Sequence, residues 1–167
     1  MMAVLISIHP EWCEMIASGK KTLEVRKTRP KLEPPFKCYI YQTKHREHNG
    51  PTYSDGKVIG EFICDSIQCF DVPYPAFRNE MDKQIMEQSC LTYYQLHRYA
   101  YHDALYGWHI SNLVIYDKPK GLSDFAQCHK CPYGDFQNCN QHEYSCDGSF
   151  KLMRPPQSWC YVEEVVT

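Results

Sequence analysis

The sequence contains no apolar run long enough to cross a bilayer as a helix. Its apolar start, Met1 to Ile8, is too short and lacks the flanks of a secretory leader. No membrane partner is expected, and the expected location is cytoplasmic. A general excess of positive charge is also lacking, since the formal net charge is −2, which excludes a sticky polycation. No internal repeat is present, which argues against a solenoid or a propeller. Ten cysteines would suit a secreted disulfide scaffold, but without a leader they read as buried thiols or metal ligands.

What is present suits one globular unit spanning residues 1–167. Hydrophobic residues make up 43% and aromatics 14%, enough for a proper core at this length. The charge is uneven. Residues 1–60 hold ten Lys and Arg against six Asp and Glu, a balance of +4, while the remainder holds eight against fourteen, or −6. A polyanion would have to meet the first third of the chain. Within it, Ser18 to Lys31 gathers Lys20, Lys21, Arg26, Lys27, Arg29 and Lys31 around a single carboxylate, Glu24. Gly19 followed by lysines predicts a helix stop with positive φ, and a strand from about Lys21. Alternation then places Leu23 and Val25 on one face, and Thr22, Glu24 and Arg26 on the other. The charged row suits a cleft in which Arg26 and Glu24 read a base edge while lysines meet phosphate, or equally a solvated edge strand.

Gly19, Lys21, Glu24 and Arg26 match a GxKxxExR signature, so the chain resembles the ASCH family, PUA-like β-barrels linked to RNA and modified nucleosides. The resemblance extends over VLISIHPEWCEMIASG, GKVIGEF, the WHI segment and the closing RPPQSWCYVEE. It implies an α+β fold, a PUA-like mixed β-barrel capped by short helices. It also implies a basic ligand cleft, with Lys20, Lys21, Glu24, Arg26, Trp108 and His109 as candidate ligand-binding residues. Some similar small bacterial proteins are amidohydrolases acting on acetylated cytidine, with a Lys, a Thr and a Glu as catalytic set. Lys21 matches that lysine, but Glu24 stands at the threonine position, and Glu61, Glu80 and Glu87 are unplaced candidates for the third member. Hydrolysis by Lys21 and Glu24 is thus the alternative to binding of RNA or of a modified nucleoside or nucleotide. Whether the chain is an enzyme stays open.

Along the chain, Val4 to Ile8 reads as a buried strand and Pro10 to Ser18 as a helix presenting Trp12, Met15 and Ile16. Phe36 to Thr43, Lys57 to Phe70 and Trp108 to Tyr116 read as strands, the polar 44–56 segment as a loop, and Asn79 to Tyr101 as mostly helix. Gln157 to Val162 is the last strand, expected to pair near the first and close the sheet. Six cysteines are scattered among apolar segments; the other four, Cys128, Cys131, Cys139 and Cys146, cluster in an insertion at 126–150. A CxxC knuckle with two further thiols fits structural zinc, and a polar excursion of this kind orders poorly without a staple. Free thiols or a redox pair fit the first half of the motif as well. A third functional reading is an interaction module whose knuckle contacts protein.

Overall fold

A computed structural model describes residues 1–46, 52–72, 80–126 and 151–165. The four clustered cysteines lie outside the described residues. The elements, in order, are β1 (Met2–Ile8), α1 (Pro10–Ala17), β2 (Leu23–Arg26), β3 (Phe36–Gln42), β4 (His45–Arg46), β5 (Thr52–Ser54), β6 (Lys57–Phe70), α2 (Glu80–Ser89), α3 (Tyr93–Ala100), β7 (Leu105–Lys120) and β8 (Trp159–Glu163). Six strands form one sheet in the order β2-β7-β6-β3-β1-β8, and β4 and β5 make a separate ribbon inside the segment expected to be a loop. Only the β1–β3 pair is parallel, so the sheet is mixed as expected.

The expected closed barrel is not formed. Closure needs the two edge strands to exchange backbone hydrogen bonds, but β2 and β8 stand at opposite ends of the order. Side chains bridge the seam instead. Arg26 Nη2 donates to the Ser7 carbonyl at 2.6 Å, and Trp159 Nε1 donates to Thr28 Oγ1 at 3.0 Å. The final strand does pair with the first, Ala3 facing Val162, so half of that expectation stands.

The sheet is covered unequally on its two sides. One core joins Val4, Ile6, Ile8, Cys38, Ile40, Phe62 and Trp108 with Cys13 and Ile16 of α1; Trp12 is half-buried, and Cys13 takes the inward place expected of Met15. Buried among apolar neighbours, the Cys13 and Cys64 thiols are pushed up to about 12, chiefly by desolvation, and behave as small hydrophobes. Tyr39, Tyr41, Val58, Phe125 and Leu152 fill the second face. A third cluster packs Leu23, Val25 and Leu105 under Ile85 of α2 and Leu96 and Ala100 of α3. Residues 80–100 form two helices because Cys90 takes a φ of 54° and Thr92 starts a new capping box with Gln95. Ala126 and Lys151 face each other in an isolated antiparallel bridge.

Candidate functional site

The site begins with how α1 stops. Gly19, at φ +73°, lets its N–H reach the Ile16 carbonyl and the Lys20 N–H reach that of Met15, both within 3.0 Å. This paired closure of the last turn is the one that a glycine after a helix permits. Lys21 also points its N–H back to Met15, so β2 starts at Leu23 instead of Lys21. Because Lys21 precedes the strand, alternation does not bind its side chain, and it reaches the Glu24 face.

Lys21, Glu24 and Arg26 form a buried ionic triad, with 2%, 6% and 9% of their surfaces exposed. Glu24 joins the two cations, Oε2 lying 3.3 Å from Lys21 Nζ and Oε1 3.0 Å from Arg26 Nη2. The Lys21 ammonium spends its remaining hydrogens on the carbonyls of Leu23 at 3.0 Å and Ser89 at 2.7 Å. Ser89 ends α2, a helix with no basic residue in its last turn, so Lys21 supplies the cation its dipole favours. Three hydrogens meet three acceptors, and none is left for a ligand. Arg26 differs. Both Nη2 hydrogens are used, by Glu24 and the Ser7 carbonyl, but among the described residues Nη1 has only Ser158 Oγ at 3.5 Å, and the buried Nε has no partner.

Arg26 and Glu24 face a cavity of about 670 Å³ that occupies the open seam of the sheet. Its walls come from β2, from Ser7, Ile8, His9 and Trp12 at the junction of β1 and α1, from Leu91, Gln95 and Tyr99 beside and along α3, and from 155–158 leading into β8. Trp12 lies with the Lys21 ammonium 5.4 Å from its ring centroid, and Tyr99 holds Lys27 in the same way at 5.5 Å. The arrangement offers aromatic walls, one net positive charge on the floor, donor capacity on Arg26 Nη1, whose contact to Ser158 Oγ is long at 3.5 Å, and spare acceptor capacity on Glu24. A planar group carrying an acceptor beside a donor meets every one of these features.

The other candidates lie elsewhere. Lys20 is exposed at the end of α1 and does not line the cavity. Trp108 is fully buried, edge-on to Phe36 at 6.1 Å and tilted against Trp159 at 6.0 Å, and also lies behind the wall. His109 points away from the cavity and pairs through Nδ1 with Asp65 Oδ1 at 2.6 Å. Desolvation acts to raise the Asp65 carboxyl, but the bond and charge of His109, with the help of Ser111, hold it below its ordinary range. Sequence reasoning missed Ser7, Tyr99 and Gln157 to Ser158. Of these, Ser7 and the RPPQS segment carry a signal, as parts of the opening and closing stretches of the resemblance, and Tyr99 carries none. No group of three or more potential metal ligands occurs among the described residues, and no helix among them is long and apolar enough to span a membrane.

Comparison with known proteins agrees with this architecture. The chain is similar to the crystal structure of ASCH from Zymomonas mobilis, with a TM-score of 0.61 and 21% identity, covering 97% of this chain and 88% of that one. Two point mutants of the same protein match with TM-scores of 0.59 and 0.57 at 19% and 20% identity; each covers 97% of this chain, and 91% and 89% respectively of the other. At such identities the likeness establishes the fold. No curated protein matches in sequence. The ASCH domain model matches residues 6–116, which carry the triad, Trp12 and the α3 wall, and the chain therefore belongs to the ASCH domain family.

Proposed function

We propose that this protein binds RNA or a modified nucleoside or nucleotide, seating one base in the seam cavity. The observation that carries the reading is the Glu24–Arg26 pair, buried, joined at 3.0 Å and lining the cavity, with Arg26 Nη1 holding only a long contact to Ser158 Oγ among the described residues. A base edge supplies the acceptor for that donor and a donor for Glu24, and Trp12 and Tyr99 supply apolar faces. The exposed Lys27, held over the lining Tyr99, is a cation for the sugar-phosphate backbone, serving affinity more than selectivity. Hydrolysis gains no support from the geometry. Lys21 has every hydrogen committed, Glu24 replaces the hydroxyl residue, and a lysine-activated nucleophile needs that hydroxyl.

Titration of the protein with a panel of nucleosides, including acetylated cytidine, and with short RNA tests the reading by calorimetry. Saturable binding that Glu24→Gln weakens by about tenfold or more, as expected for one lost charged hydrogen bond, supports it. Binding that is undiminished in Glu24→Gln and in Arg26→Gln rejects it, and acetate release from acetylated cytidine would favour the hydrolase instead.

We further propose that Cys128, Cys131, Cys139 and Cys146 hold one structural zinc ion. Support comes from the CxxC spacing and from the Ala126–Lys151 bridge, which brings the ends of the insertion together. Metal analysis of the purified chain should find about one zinc per molecule, and less than about half an equivalent would remove the site.

A further inference from the structure

Helix α3 has a second side that the cavity does not use. Tyr94 is 81% exposed and Tyr101 is 77% exposed, large rings left in water on a helix whose Leu96 and Ala100 are buried. Between them stands Arg98, exposed and without an ion-pair partner among the described residues. Tyr94 and Arg98 are four residues apart and Tyr101 caps the helix three further on, so the three follow one another along one side. The neighbouring side, Leu91, Gln95 and Tyr99, is the cavity wall. Single exposed hydrophobes are ordinary. Two rings flanking a guanidinium, continuous with a cavity whose own lip pairs Tyr99 with Lys27, form a surface of definite chemistry.

We infer that the base in the cavity belongs to a single-stranded RNA, and that the adjoining nucleotides lie along Tyr94, Arg98 and Tyr101. This rests on the proposed function and extends it. Aromatic rings stack bases of any sequence and the intervening cation meets phosphate, the combination that single-strand sites use. The floor of the cavity fixes the polarity of entry. With Glu24 able to accept and Arg26 Nη1 able to donate, the floor suits the mixed edge of a base better than an all-acceptor phosphate, so the base goes in and the backbone stays at the rim. A paired base has that edge engaged, which excludes a duplex. The stripe is about 10 Å long at 1.5 Å per helical residue, room for two or three bases at roughly 3.4 Å each.

Fluorescence anisotropy with labelled RNA of three, five and nine nucleotides tests the assignment, with a mononucleotide and a duplex of the same sequence as competitors. Affinity should rise about tenfold or more from mononucleotide to pentamer, and the duplex should compete poorly. The double variant Tyr94→Ala with Tyr101→Ala, which alters only exposed side chains, should lose about tenfold or more of the pentamer affinity and none of the mononucleotide affinity. Arg98→Gln should flatten the salt dependence of pentamer binding by about 0.7 in the log–log slope. Equal affinity at all lengths, an unchanged pentamer affinity in the double variant, or an equal loss for mononucleotide and pentamer overturns the strand assignment and leaves the cavity reading standing. Absence of binding by mononucleotide and pentamer alike removes both.

Discussion

Two charged networks sit on this sheet, and they are built on opposite plans. At the seam, Lys21, Glu24 and Arg26 come from six consecutive residues, carry two cations to one carboxylate, and are almost wholly buried. On the far face, Lys37 of β3 bridges Glu61 of β6 at 3.1 Å and Glu164 past β8 at 3.3 Å, with side chains about a fifth exposed. There the Tyr116 hydroxyl donates to the second Glu61 oxygen, and Lys120 covers the Tyr116 ring. The far network joins three distant strands and uses both carboxylate oxygens of Glu61. The seam network leaves a buried donor unused beside an open cavity. One arrangement holds the chain together; the other keeps hydrogen-bonding capacity in reserve, as a binding site must.

Substitutions separate the two plans. Glu24→Ala leaves two cations buried without their counter-charge, and removing one member of such a group costs about 3–5 kcal/mol. Urea unfolding should show it, and a loss below about 1 kcal/mol would mean that water reaches the triad. Glu61→Ala strands the Tyr116 hydroxyl but leaves Lys37 with Glu164, so about 1–3 kcal/mol is expected by the same measurement. Glu164→Gln weakens one partly exposed pair while Glu61 stays, for a loss of at most about 1 kcal/mol.

Acid gives the finest contrast. Burial alone would raise the Glu61 carboxyl, but the bonds from Tyr116 and Lys37 outweigh it and hold it below the usual range. Folding then favours the ionised form, and the stability it contributes is whole above the ordinary glutamate value of about 4.3 and lost as pH falls through the lower folded value. Lys37 behaves inversely. Burial acts to lower it, yet its bonds to Glu61 and Glu164 raise it, so its contribution holds below about 10.4 and fades as pH rises through the folded value. Thermal melts of Glu61→Gln should therefore decline less steeply below about pH 4 than those of the parent chain. Parallel declines would place the acid sensitivity elsewhere.

The contrast also explains what was legible in the sequence. The seam triad lies within one helix-turn-strand unit, where a glycine, a lysine pair and period-two alternation suffice to bring Glu24 and Arg26 to one face. The far network has no such signature, since Lys37, Glu61 and Glu164 meet only through strand order. The same holds for the cavity's other walls. Tyr99 and Ser158 are separated from β2 by scores of residues, and only the curl of the sheet makes them neighbours. Trp108 shows the limit from the other side. Alternation assigns it to the same face as Glu24, its cross-strand partner, but cannot tell that Phe36 and Trp159 close over it before the cavity begins. Strand β7 exceeds the expected Trp108 to Tyr116 at both ends, and it can include Pro119 because that residue lies one from the strand's end, where a missing N–H costs little.

The unzipped seam has a mechanical side. Among the described residues, Arg26 and a few side-chain contacts hold the edge of β2 to the approach to β8, and a molecule lodged between them touches both margins at once. Occupancy then works like a clasp, and the free energy of binding is added to the cohesion of the sheet. Amide exchange on the two margins should slow in concert when the clasp is in place, while the far strands keep their own rates.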